Sequence, residues 1–161
     1  MNTQFQQFQK LILNKFKYKL FLLFKLPMAF FSGLNVIEFT AQKSVVTVKF
    51  KWLNQNPFQS IYFAVLAMAA ELSTGILAFG QIYKRNPSIS MLVVKLEAEF
   101  YKKTTGKIYF TCTDGDKITE AIEQSILQNI ATTIQCTSIG KNSKDEVVTK
   151  FTFTWSFKAK T

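Results

Sequence analysis

The stretch Ile61-Tyr-Phe-Ala-Val-Leu-Ala-Met-Ala-Ala-Glu71-Leu-Ser-Thr-Gly75 is apolar or small at nearly every position and carries one carboxylate. That composition predicts a single long helix running to about Tyr83, with the Ser60 hydroxyl as its N-cap and Asn56-Pro57 as a competing start. Ala64, Ala67, Ala69, Ala70, Gly75 and Ala78 leave no polar face for water, so the helix is expected to be enclosed by the rest of the chain. Lys84 and Arg85 close it with the charge that a helix C-terminus favours. Inside such a helix Glu71 needs a reason. Desolvation disfavours the ionised carboxyl, so a buried acid is hydrogen-bonded, paired across an interface or used for chemistry.

On either side of this helix the hydrophobic period is two. Val36, Ile37 and Phe39, then Val46, Val48, Phe50 and Trp52, predict two strands joined across residues 41–44. Beyond Asn86-Pro87 the alternation predicts hairpin-linked antiparallel strands over residues 89–101, 107–113, 131–139 and 147–157. A short helix over 116–127, capped by the aspartates of Thr113-Asp-Gly-Asp116, interrupts them. An α+β architecture with one antiparallel sheet wrapped around the long helix satisfies this order, because it encloses an all-round apolar helix within 161 residues. The first 26 residues set Phe5, Phe8, Ile12, Phe16, Leu20 and Leu23 at helical spacing among lysines. They predict one amphipathic helix, ended by Pro27, that packs on the domain of residues 27–161 in preference to lying on a membrane surface.

Seventeen phenylalanines against six glycines and three prolines argue for one packed core. The net charge of +10 attracts anionic ligands, but Arg85 is the sole arginine and the lysines follow no nucleic-acid motif, so no nucleic-acid partner is expected. Cys112 and Cys136 are far apart, and without any histidine they complete no metal site; free thiols and the lack of a secretory signal point to the cytoplasm. Lysines interrupt the N-terminal apolar run well short of the ~20 residues a bilayer span requires. With no histidine, a general base at neutral pH must be a carboxylate, lysine, cysteine, tyrosine or the α-amino group.

The element order, together with the run from Tyr62 through Ala69-Ala70-Glu71 to Gly75, resembles the hotdog fold. It is similar to acyl-CoA thioesterases of the phenylacetate-pathway type and, more closely, to thioesterase-like proteins grouped as a domain of unknown function. The resemblance implies hydrolysis of an acyl thioester, with coenzyme A entering only as part of the substrate and no separate cofactor or metal. It assigns Glu71 as general base or nucleophile, the Phe63 backbone N–H at the helix start as oxyanion donor, and Asn56, or else Gln55 or Asn54, as the positioning amide. Ser60, Tyr62, Ala64 and Gly75 would line the substrate, and Lys84 and Arg85 would meet its phosphates. Where many such enzymes carry a histidine and two glycines, this chain reads Tyr62-Phe63-Ala64. The resemblance also implies a site between protomers, hence a homodimer or dimer of dimers. The alternative function is a non-catalytic acyl- or lipid-binding hotdog protein.

Overall fold

The computed structural model describes residues 4–160; residues 1–3 of the expected N-terminal helix and Thr161 lie outside them. The N-terminal segment is not one helix but three: α1 (Phe5–Leu13), α2 (Lys15–Lys25) and α3 (Pro27–Ser32). Asn14 makes the first break by leaving the helical region (φ −80°, ψ 108°) and accepting the Lys17 N–H on its side-chain oxygen at 3.0 Å, which caps α2. The break resets the helical phase. Phe5, Phe8 and Ile12 are buried as expected, but Phe16 is 73% exposed, and Tyr18 and Leu22 turn inward in its place. Pro27 begins α3 at its first turn instead of closing the segment, where its missing N–H costs nothing.

Strands β1 (Asn35–Phe39) and β2 (Ser44–Lys49) form the expected antiparallel pair. Trp52 does not extend β2; it opens a 3-10 turn, Trp52–Asn54, and is 78% exposed. The long helix is α4 (Phe63–Ile82), followed by β3 (Ile89–Phe100), β4 (Lys107–Cys112), α5 (Gly115–Gln128), β5 (Thr132–Lys141) and β6 (Val147–Ala159). All six strands form one antiparallel sheet in the order β1-β2-β4-β5-β6-β3. Only β1–β2 and β5–β6 are hairpins. β3 does not pair with β4 but crosses to the far edge and runs along β6.

The sheet curls around α4. Val46 and Val48 of β2, Ile108 and Phe110 of β4, Cys136 of β5 and Phe151, Phe153 and Phe157 of β6 meet the helix face that carries Leu66, Ala69, Ala70 and Leu77, and all are buried. Long and apolar enough to cross a bilayer, α4 instead has its hydrophobic surface covered largely by this sheet, by α5 and by α1 and α3. Asp114 does not cap α5 with its side chain. Its carboxylate receives the Thr137 N–H at 2.8 Å and the Lys117 ammonium at 2.9 Å, tying the helix start to β5. Gly115 lets the same helix start approach the β1–β2 connection, since a Cβ there would lie 2.1 Å from the Ala41 carbonyl oxygen.

Candidate functional site

The segment from Glu71 to Gly75 is held by hydrogen bonds from three strands. Thr74 donates its hydroxyl to the Glu71 carbonyl at 3.0 Å and accepts the Trp155 indole N–H at 3.0 Å. Ser73 donates to the Ala70 carbonyl at 2.7 Å, so across its 2.7 Å contact with Ser138 the Ser138 hydroxyl must be the donor, each hydroxyl having one proton to give. Ser44 on β2 donates to the Ser73 carbonyl. Every one of these polar side chains is buried and satisfied, as burial requires.

The Glu71 carboxyl differs from its neighbours. It is partly buried and, among the described residues, accepts no hydrogen bond and joins no ion pair; desolvation alone pushes its pKa from 4.5 up to about 6. Its room comes from Gly75, one turn on, where a Cβ would lie 3.1 Å from Glu71 Oε1 and 3.2 Å from Trp155 Cζ2. The carboxyl borders an apolar cavity of about 350 Å³ lined by Phe8, Phe21, Leu72, Ile76, Phe79 and Met91, with Lys25 and Leu26 at its edge. It also borders a smaller hollow of about 220 Å³ under Pro27, Met28 and Met68. The N-terminal helices thus form one wall of the space above the acid.

The other sequence-predicted residues lie elsewhere. Phe63, not Ser60, begins α4, and Tyr62 occupies the N-cap position. The first intrahelical bonds run from the Val65 and Leu66 N–H groups to the Tyr62 carbonyl, so the Phe63 and Ala64 amides sit ahead of the hydrogen-bond ladder, at the positive end of the dipole. Asn56 spends its side-chain oxygen on the local turn, accepting from the Phe58 N–H at 3.0 Å, the Ser60 N–H at 3.3 Å and the Ser60 hydroxyl at 3.2 Å. Asn54 is buried and staples the same loop, donating to the Ser32 and Lys49 carbonyls and receiving the Lys51 N–H. Gln55 bridges Ile61 across that loop. Asn56, Ser60, Tyr62 and Phe63 line a hollow of about 490 Å³ closed by Phe100 and Lys103.

Within one chain, then, the candidates form two groups. Glu71 and Gly75 share one cavity and the helix start lines another, eight residues or about 12 Å away along α4. Lys84 and Arg85 lie beyond the opposite end of the helix: Lys84 rests over the Tyr83 ring at 5.4 Å, and Arg85 pairs with Glu123 on α5 at 2.7 Å. Thr74, Ser138 and Trp155, which fix the acid's backbone, and Phe8 and Phe21, which wall its cavity, were not placed at the site from the sequence. Two hydroxyls in succession inside an apolar helix were the available signal, because buried hydroxyls require partners.

The six-stranded antiparallel sheet around a long helix is the hotdog fold. A Chlorobaculum tepidum protein of unknown function superimposes with a TM-score of 0.77 at 16% identity, over 96% of this chain and 96% of its own. A Pseudomonas aeruginosa protein of unknown function, described as a probable thioesterase, gives 0.74 at 16% identity over 90% and 96%. A thioesterase from Haemophilus influenzae gives 0.61 at 11% identity over 87% and 88%. At such identities the likeness concerns the fold. No family model and no curated protein matches the chain.

Proposed function

We propose that the protein hydrolyses an acyl thioester, with Glu71 as the general base. The observation that carries this reading is the unpartnered Glu71 carboxyl, raised to about 6 by burial and bordering an apolar cavity of about 350 Å³ suited to an acyl chain. The base takes a proton from water as the water oxygen bonds to the thioester carbon. Backbone N–H groups at a helix start hold the oxyanion that forms, the C–S bond then breaks, and the leaving thiolate recovers the proton from Glu71. Several solved proteins of the same fold bear thioesterase names, which agrees with this chemistry.

The Phe63 amide is too far along α4 to serve its own Glu71, so the reading includes a second copy that presents its helix start to this acid. The surface supports that assembly. Beyond the bulge at Val94, Leu96 and Phe100 sit opposite Phe153 and Thr149 on the concave face, yet they are 45% and 51% exposed, beside Phe63 at 56%. β3 itself is a twelve-residue edge strand, a length that sheets rarely leave unpaired. Light scattering of the purified chain at micromolar concentration is expected to give a dimer or larger species. A monomer that still hydrolyses thioesters would eliminate the shared site.

Hydrolysis of a panel of acyl-CoA substrates, followed by thiol release, tests the activity. Turnover is expected to rise with pH through about 6, as Glu71 becomes ionised, and then to level off. Co-purified fatty acid without any turnover would favour the non-catalytic binding alternative. Gly75→Ala provides a second test. The new methyl group would press on Glu71 Oε1 and the Trp155 ring, while alanine contributes about 1 kcal/mol more helix propensity than glycine. Turnover is expected to fall at least about ten-fold with little change in melting temperature, since near-attack geometry is sensitive to sub-ångström displacement. Unchanged turnover would mean that the carboxyl does not act from its present position.

A further inference from the structure

Phe16, Leu20 and Phe24 stand at i, i+4 and i+8 on α2 and are 73%, 40% and 76% exposed. They form a stripe about 12 Å long on the side of the helix opposite the buried Tyr18 and Leu22. On a helical wheel the stripe is about 80° wide, with Lys15 and Lys19 on one flank and Lys17 on the other. Met28 and Phe31 on α3, which packs against α2, are also exposed, at 67% and 54%. A helix that packs with its polar side outward shows the reverse arrangement.

The charge around this surface is of one sign. Lys10, Lys15, Lys17, Lys19 and Lys25 are all exposed, and the sequence contains no aspartate or glutamate before Glu38. None of these five lysines forms an ion pair among the described residues. Exposed aromatic and aliphatic side chains flanked by unpaired lysines are the composition of a helix lying in a lipid interface, where rings enter the acyl boundary and ammonium groups meet lipid phosphates. A second copy of this chain would bring the same five cations against themselves, which charge repulsion opposes.

We infer that the α2–α3 face is a docking surface for an anionic lipid bilayer. The face meets the surroundings of Glu71 at one residue: exposed Met28 lines the smaller hollow that Glu71 borders, together with Lys25 and Leu26. Docking therefore brings the Met28 side of that hollow toward the membrane. The inference does not depend on Glu71 being catalytic.

The test is flotation of the full chain with vesicles of phosphatidylcholine alone and of phosphatidylcholine mixed equally with phosphatidylglycerol. Binding is expected only to the anionic vesicles and is expected to weaken as salt rises, since exposed charges are screened within about 10 Å at 0.1 M ionic strength. The double variant Phe16→Ser/Phe24→Ser should keep its melting temperature and oligomeric state but partition at least about ten-fold less. Lys15→Glu/Lys19→Glu should abolish the preference for anionic lipid. Absence of wild-type binding to either vesicle, or undiminished binding by the serine variant, overturns the inference. A smaller oligomer for the serine variant in the absence of lipid overturns it as well, because the face would then be a contact between copies.

Discussion

Glu71→Gln is expected to lower thioester hydrolysis by about 10²–10⁴-fold and, at the same time, to make the protein more stable near neutral pH. Both effects follow from one property of the carboxyl. Its pKa is raised from 4.5 to about 6 in the folded chain, so ionisation is easier after unfolding than before it. Well below 4.5 the group is protonated in both states and costs nothing; as pH rises from about 4.5 to about 6 the unfolded chain ionises first and the folded chain loses stability, a penalty that levels off above about 6 at about 2 kcal/mol. Glutamine has nearly the same shape without the charge and removes that penalty. For a chain of this length the gain corresponds to roughly 4–8 °C in melting temperature near neutral pH, shrinking toward zero as pH falls well below 4.5. Thermal melts in both pH ranges, paired with turnover, check the prediction. A variant that is both inactive and less stable at neutral pH would mark Glu71 as a structural acid, and retained turnover would remove it as the base.

Phe8→Ala is expected to cost about 3–5 kcal/mol, or roughly 6–20 °C in melting temperature. Phe8 is 2% exposed, and its ring lies 5.1 Å from those of Phe79 and Tyr83 and 5.8 Å edge-on from that of Phe39, so one side chain clamps α1 to both the long helix and the first strand. It also walls the Glu71 cavity. Truncation should therefore admit water beside the carboxyl, return its pKa toward 4.5 and move the rising limb of the pH–activity profile down. Calorimetry and the pH profile are both readable on the soluble fraction. A stability loss under about 1 kcal/mol would show that α1 is only loosely seated.

These expectations rest on features of unequal visibility in the sequence. The long helix and its acid were plain, because no alternative element accommodates Ala67 to Ala78 with a single charge among them. β6 was equally plain from the strict alternation of Phe151, Phe153, Trp155 and Phe157 with lysine, serine and threonine. The sheet order was not, since β3–β6 and β2–β4 pair across long stretches of chain and local pattern carries no record of such partners. The phase of α2 was hidden by abundance: Phe16, Leu20, Phe21, Leu22, Leu23 and Phe24 satisfy more than one helical face, and a single asparagine at position 14 chose between them. For the site, the acid was visible, but its cavity depends on where α1 and α2 fold back, and the indole that supports Thr74 depends on the register of β6. Asn56 was visible as a polar residue before the helix; that its oxygen is consumed by the turn to Ser60 is a matter of local geometry.

The hydroxyls of Ser44, Ser138 and Thr74 have a consequence for how faithfully this molecule can hold a reacting group. Packing of methyl groups against a smooth curved sheet has little directional preference, so an alanine-rich cylinder could turn about its axis or slide along it at small cost. Bonds from β2, β5 and β6 to one turn of the cylinder remove both freedoms and act as an index mark that sets which side of the helix faces outward. Precision of aim and strength of cohesion are thereby assigned to different atoms, and wear in the first need not be visible in the second.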